Sequence, residues 1–180
     1  DRRADFLYDH PDTRRNECQP DGDLGDRIRG YFQSAGRQCD NAVLIGADCP
    51  LVDVAVISSA AQKLADHDVV LGPAADGGYY LIGLRGSWSE RHERLIDRIP
   101  WSTGRVFETT VRQARNAALR VATLPELEDV DTEVELNRLR ARLGEANIDT
   151  ADDRLRRELE TILDGAAGPA EQESSGGDKA

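Results

Sequence analysis

The sequence predicts an α/β domain: a mixed, mainly parallel sheet flanked by helices. Three observations predict it. Short apolar runs at 41–47 (NAVLIGA), 68–72 (DVVLG), 79–84 (YYLIGL) and 119–124 (LRVATL) have the length and composition of strands. Stretches with one apolar helical face lie between most of them. From position 41, strand, helix and strand follow within about 30 residues, the pattern of a βαβ crossover and a parallel strand pair.

Each element has a local reason. ADFLY, residues 4–8, has strand character, and the polar residues 9–22 read as a loop. A helix starts near Asp23, its N-cap, with Leu24, Ile28, Tyr31 and Phe32 on one face. NAVLIGA reads as a buried strand. Asp53 caps the next helix, whose inner face is Ile57, Ala60, Ala61 and Leu64. A short helix fits within the charged residues 85–99. Ser102 or Thr103 caps a helix that carries Phe107, Thr110, Val111 and Ala114 on one face. Thr132 and Glu135 have capping-box spacing, so a helix begins at about Glu133 and buries Leu136, Leu139 and Leu143. Leu155, Leu159, Ile162 and Leu163 mark a last helix near 151–164. From Gly165 the chain is small and polar, and disorder is expected there.

Composition excludes several classes. The chain has 180 residues and a formal net charge of -11, which argues against general affinity for nucleic acid or anionic membrane. No apolar run approaches the ~18 residues of a membrane span. The three cysteines, Cys18, Cys39 and Cys49, form no C-x-x-C pair, so neither a disulfide framework nor a zinc ribbon is indicated. A reduced, cytoplasmic setting is expected. The chain begins at Asp1 and contains no methionine, so a preceding segment is expected in the native protein.

The residues with chemical potential sit beside predicted strand ends, the rim where open α/β sheets bind ligands. Asp48 follows the first buried run and precedes Pro50. It fits a metal ligand, since Mg²⁺ and Mn²⁺ favour carboxylate oxygens and phosphates; it equally fits a turn or helix cap. Asp76-Gly77-Gly78 lies between two strands. A tight loop accounts for it, and the paired glycines would also let a ligand approach, with Tyr79 beside it. Asp129 and Asp131 precede a helix that Thr132 already caps; they read as metal ligands or as solvated turn residues. GDLGDR, residues 22–27, reads first as an ordinary capped helix. Its alternative is a site for a sugar or base edge, with Asp23 and Asp26 disfavouring bare phosphate. Trp101, in IPWST, reads as core or as a ligand platform. No serine has a G-x-S-x-G setting. Cys49 reads as a small buried residue.

In order, GDLGDR, LIGADCPLV, VVLGPAADGGYYLIGL, IPWST and LPELEDVDTEVEL resemble a bacterial domain-of-unknown-function family grouped with GT-A-type glycosyltransferases. The resemblance covers roughly residues 20–140. It implies a nucleotide-diphospho-sugar transferase fold, shared with phospholactate guanylyltransferases. Residues 1–144 would form that domain, 145–164 a helical extension and 165–180 a disordered tail.

The resemblance also implies roles. Asp48, Asp129 and Asp131 would hold Mg²⁺ or Mn²⁺. Asp23, Leu24 and Gly25 would lie beside the nucleotide. Asp76, Gly77, Gly78 and Tyr79, with Trp101, would face the second substrate. Asp48 and Asp76 are the catalytic candidates, Asp76 being the nearest to a base. The expected partners are a nucleotide sugar or nucleoside triphosphate and a small-molecule acceptor. Cys49 stands where the family usually has serine or threonine. The family's opening strand and its G-x-x-K-T-R-L phosphate loop are not found in this sequence, so an open sheet edge is expected beside residues 41–47. The implied activity is metal-dependent glycosyl transfer. The alternatives are nucleotidyl transfer with release of pyrophosphate and, in another class, a truncated non-catalytic interaction domain.

Overall fold

A computed structural model describes residues 21–37 and 39–145, together with 155 and 157–159. The expected strand at 4–8 and the tail at 165–180 lie outside the described residues, as does most of the helix near 151–164. Its described positions, 155 and 157–159, are helical.

The chain runs α1 (Leu24–Ala35), β1 (Asn41–Ile45), α2 (Val54–Lys63), β2 (Val69–Pro73), β3 (Tyr79–Arg85), α3 (Glu90–Ile96), α4 (Val106–Asn116), β4 (Val121–Thr123) and α5 (Glu133–Glu145). The strands form one mixed sheet in the order β1-β3-β2-β4. β3 pairs antiparallel with both β1 and β2, and β4 pairs parallel with β2. Three strands therefore run one way and β3 runs the other. The expected parallel pair of β1 and β2 is corrected. They share a direction, but β3 folds back through the tight DGG loop and takes the place between them.

Caps set the helix starts where the side chains allow. Asp23 and Asp26 form a reciprocal capping box on α1, with the Asp26 amide donating to Asp23 Oδ1 at 2.9 Å. The Val56 amide donates to Asp53 Oδ1 at 2.8 Å to start α2. α4 begins at Val106, later than a Ser102 or Thr103 cap would place it. Ser102 adopts φ 60°, outside any N-cap geometry, and the Thr103 hydroxyl donates instead to the Pro100 carbonyl at 2.7 Å.

The core lies on both faces of the sheet. One face packs Val69, Leu71, Ile82 and Leu84 against Ile28 and Phe32 of α1, Leu95 and Ile96 of α3, and Ala114 of α4. The other packs Val70, Leu81 and Ala122 against Ala60 of α2 and Leu64 just beyond it. The face of α2 is corrected: Val56, Ala60 and Leu64 turn inward, while Ile57 is 39 % exposed. Gly83 provides the reason. Its missing side chain leaves room for the Leu64 Cδ1 atom, which sets the helix's rotation. All five residues of β2 are buried, whereas both ends of β1 are exposed. β1 is not the buried strand its composition suggested, because it forms the sheet's edge among the described residues. There the Tyr31 hydroxyl donates to the Val43 carbonyl at 2.8 Å.

One irregularity lies between β2 and β3. Gly72 pairs with Leu81 but Pro73 pairs with Tyr79, so Tyr80 is an extra residue in β3. This is a β-bulge. Without it, the alternation of side chains would put Tyr80 on the face of Ile82 and Leu84. With it, Tyr80 joins Leu81 on the α2 face.

Candidate active site

Strand direction brings the motifs together. β1, β2 and β4 all end at one edge of the sheet, and β3 begins there. The loops carrying Asp48, Asp76 and Asp129 therefore share one rim.

The Asp76 loop is held by its own chemistry. Asp76 Oδ1 accepts the Gly78 amide at 2.7 Å, a side-chain turn that fixes the carboxylate at the loop tip. Gly77 has φ 88°, and a β-carbon there would collide with the Gly104 backbone. The Phe107 amide donates to the Gly77 carbonyl at 2.9 Å. The start of α4 thus seats directly on the DGG loop, which requires glycine for both conformation and space.

The IPWST segment links this loop to α1. A β-carbon at Gly25 would lie 3.1 Å from Trp101 Nε1, so the indole edge rests on the first turn of α1. Trp101 is half-buried against the core. Asp23 and Gly25 therefore belong to the same rim as Asp76, while Leu24 is 48 % exposed. Asp23 already serves the helix cap through Oδ1. The Tyr79 hydroxyl is buried beside Thr110, and burial pushes its phenol pKa up. It points into the core, so any ligand contact at Tyr79 must come from elsewhere on the residue.

The acidic segment 125–131 joins the Asp48 loop through its backbone. The Val130 amide donates to the Asp48 carbonyl at 2.9 Å, and the Cys49 thiol donates to the Glu128 carbonyl at 3.4 Å. Asp129 and Asp131 flank that junction. Burial pushes the Asp129 carboxyl above its usual range, and the negative charges of Asp76, Asp131 and Glu135 add to the effect. Burial likewise raises the Cys49 thiol, with Asp48 and Asp129 contributing. Asp48 Oδ1 turns back over Gly46, where a β-carbon would come within 2.7 Å.

The helix cap that follows leaves these carboxylates free. Glu135 Oε2 accepts the amides of both Asp131 and Thr132 at 2.8 Å. Those two amides hold the Glu135 carboxyl below its usual range. Neither Asp129 nor Asp131 is needed to start α5.

Among the described residues, no group of three or more histidine, cysteine, aspartate or glutamate side chains is arranged to hold a metal ion. Asp48, Asp129 and Asp131 do not make a ready three-carboxylate cage. They do offer hard oxygen donors on two adjoining segments. That suits Mg²⁺, which usually takes one or two carboxylates and completes its shell with water and phosphate oxygens.

Four supporting residues were not apparent in the sequence as parts of this rim: Gly46, Tyr80, Gly104, and Cys49 as a tether. Gly104 had a visible signal in its place directly after IPWST. The bulge that aims Tyr80 had none.

Comparison with known proteins agrees with this architecture. The chain is similar to a crystal structure from Desulfovibrio desulfuricans G20 described as a "putative nucleotide-diphospho-sugar transferase". The TM-score is 0.68 and the identity 34 %, over 82 % of this chain and 64 % of that one. The chain thus spans under two thirds of that protein's length. The fold is that of the nucleotide-diphospho-sugar transferases. Residues 2–103 match a family described as "Uncharacterized protein conserved in bacteria" (DUF2064), and the chain belongs to it. The first four motifs fall within that match, and the acidic segment lies beyond it. No curated protein matches.

Proposed function

We propose that this chain carries the site of a metal-dependent transferase that takes a nucleotide-diphospho-sugar and passes the sugar to a small-molecule acceptor. The observation that carries the reading is the meeting of Asp48, Asp76 and the Asp129–Asp131 segment on one sheet rim, in a chain similar to a protein described as a "putative nucleotide-diphospho-sugar transferase". Asp48 with Asp129 and Asp131 would hold Mg²⁺ or Mn²⁺. The bound ion would offset the charge of the donor's diphosphate. Asp23, Leu24 and Gly25, at the start of α1, would lie beside the nucleotide. Gly77 and Gly78 would admit the acceptor close to the backbone, with Tyr79 and Trp101 bounding its space. Asp76, fixed at the loop tip, would receive the acceptor's proton. The protein's part is then mainly positioning and electrostatics.

No helix among the described residues is long and apolar enough to cross a membrane.

The test is product analysis with Mn²⁺ or Mg²⁺ and a panel of nucleotide sugars and nucleoside triphosphates. Free nucleoside diphosphate from a nucleotide sugar is the expected product. Pyrophosphate from a triphosphate would assign nucleotidyl transfer instead. Binding and turnover of neither would leave an interaction domain.

A further inference from the structure

We infer that Tyr80 is a positioning residue, whose hydroxyl sets the conformation of the acidic segment 125–131 through the Pro125 carbonyl. This deepens the proposed function, and its value to catalysis rests on that reading.

The observations converge on one side chain. The bulge places Tyr80 on the α2 face, and its ring lies over Gly72. A β-carbon at Gly72 would collide with that ring, so glycine is what allows the ring to lie there. Tyr80 is 2 % exposed, and its hydroxyl donates to the Pro125 carbonyl at 3.0 Å. β4 ends at Thr123 and α5 begins at Glu133. Pro125 therefore lies near the start of the irregular stretch that carries both aspartates, one residue after Leu124, whose amide donates to the Leu71 carbonyl at 2.9 Å.

The stretch is tethered step by step after that point. The Leu127 amide donates to the Pro73 carbonyl, and the Leu127 carbonyl accepts the Ala75 amide, both at 3.1 Å. The Cys49 thiol holds Glu128, and the Asp48 carbonyl holds Val130. Tyr80 supplies the first side-chain tether, after the Leu124 backbone bond, and reaches it from the strand beneath. Bulges commonly re-aim a side chain in this way next to functional sites.

The segment's charge shows why a tether is required. Asp129 feels the negative charges of Asp76, Asp131 and Glu135, and no arginine or lysine ion pair to Asp129, Asp131 or Asp76 is present among the described residues, so repulsion favours a segment that swings away. The Tyr80 hydroxyl on the Pro125 carbonyl, a part-buried bond, resists that movement without adding charge.

The experiment compares Tyr80→Phe with Tyr31→Phe, which deletes an equivalent hydroxyl-to-carbonyl bond at the far edge of the sheet. Amide exchange is followed at Leu127 and Val130. Loss of the tether should speed exchange there by about fivefold. Exchange at Ile82 and Leu84 should stay at the wild-type rate, and Tyr31→Phe should leave Leu127 and Val130 unchanged. In the active enzyme, the Mn²⁺ concentration for half-maximal turnover should rise about fivefold in Tyr80→Phe, for the same lost bond. Unchanged exchange at Leu127 and Val130 overturns the inference. So does an equal acceleration across the core, or an unchanged Mn²⁺ requirement. If the wild-type chain transfers nothing with any donor, the functional reading falls and the exchange measurement alone decides Tyr80.

Discussion

The two ends of β2 treat carboxylates in opposite ways. At its start, Asp68 is surrounded by cations. It accepts the Arg120 amide at 2.8 Å and the Arg120 guanidinium at 3.2 and 3.3 Å, with Arg91 at 4.0 Å. The Arg120 guanidinium holds the Asp68 carboxyl below its usual range. At the far end, Asp76 and Asp129 face each other without such a partner, and Asp129 is pushed up. One end spends its charge on the fold. The other carries repulsion that no ion pair among the described residues offsets, which is the contrast the proposed function builds on.

Four substitutions break or sharpen that contrast. The largest effect belongs to Asp48→Asn. It should lower transfer activity by at least ~100-fold, if the ion it helps hold is worth several kcal/mol to the reaction. The melting temperature should stay within a degree or so. A fall in stability matching the fall in activity would make Asp48 a structural residue like Asp68.

Gly77→Ala comes next. It forces a β-carbon into the left-handed region and against the Gly104 backbone, at a cost of about 3 kcal/mol. Urea denaturation measures it. A cost below about 1 kcal/mol would show that the loop and the start of α4 separate easily.

Asp68→Asn tests the paired end and should cost about 1–2 kcal/mol at pH 7, since its arginine partners are largely exposed. The sign with pH follows from its lowered pKa. Its stabilisation is complete above the ordinary aspartate value and is lost as pH falls through the folded value. Wild type and variant should therefore converge in acid.

Asp129→Asn should do the reverse and gain about 0.5 kcal/mol at neutral pH. Its folded pKa is raised, so ionisation costs stability above that value and the cost is relieved as pH falls through it. The gain should vanish in acid. A loss of stability at pH 7 would place Asp129 with Asp68.

How much of this was legible depended on the range of each interaction. The N-cap at Asp23 and the capping box of Thr132 with Glu135 are local patterns, and α1 and α5 start where those residues lie. Asp48 and Asp76 were legible because they follow short apolar runs that read as strands, and Asp129 and Asp131 because they precede a helix that Thr132 caps. The pairing of those strands was not. A strand, a helix and a second strand imply a parallel pair, and nothing in residues 41–73 announces that β3 will return between them. The rotation of α2 depends on the gap at Gly83, twenty residues or so away in the chain. The aim of Tyr80 depends on a bulge, since YYLIGL reads the same with or without one.

The cap on α5 has a consequence for how this surface can change over generations. Because Glu135 alone secures the amides of Asp131 and Thr132, positions 129 and 131 are relieved of any duty to the helix beneath them. Their side chains form an interchangeable fitting on a fixed mount. A library randomised at those two positions should retain soluble expression across most of its members while sampling different donor atoms. The same breadth at position 135 would sacrifice the mount itself. Under the proposed function, new metal or substrate preferences would therefore be sought at the aspartates, with the glutamate left alone.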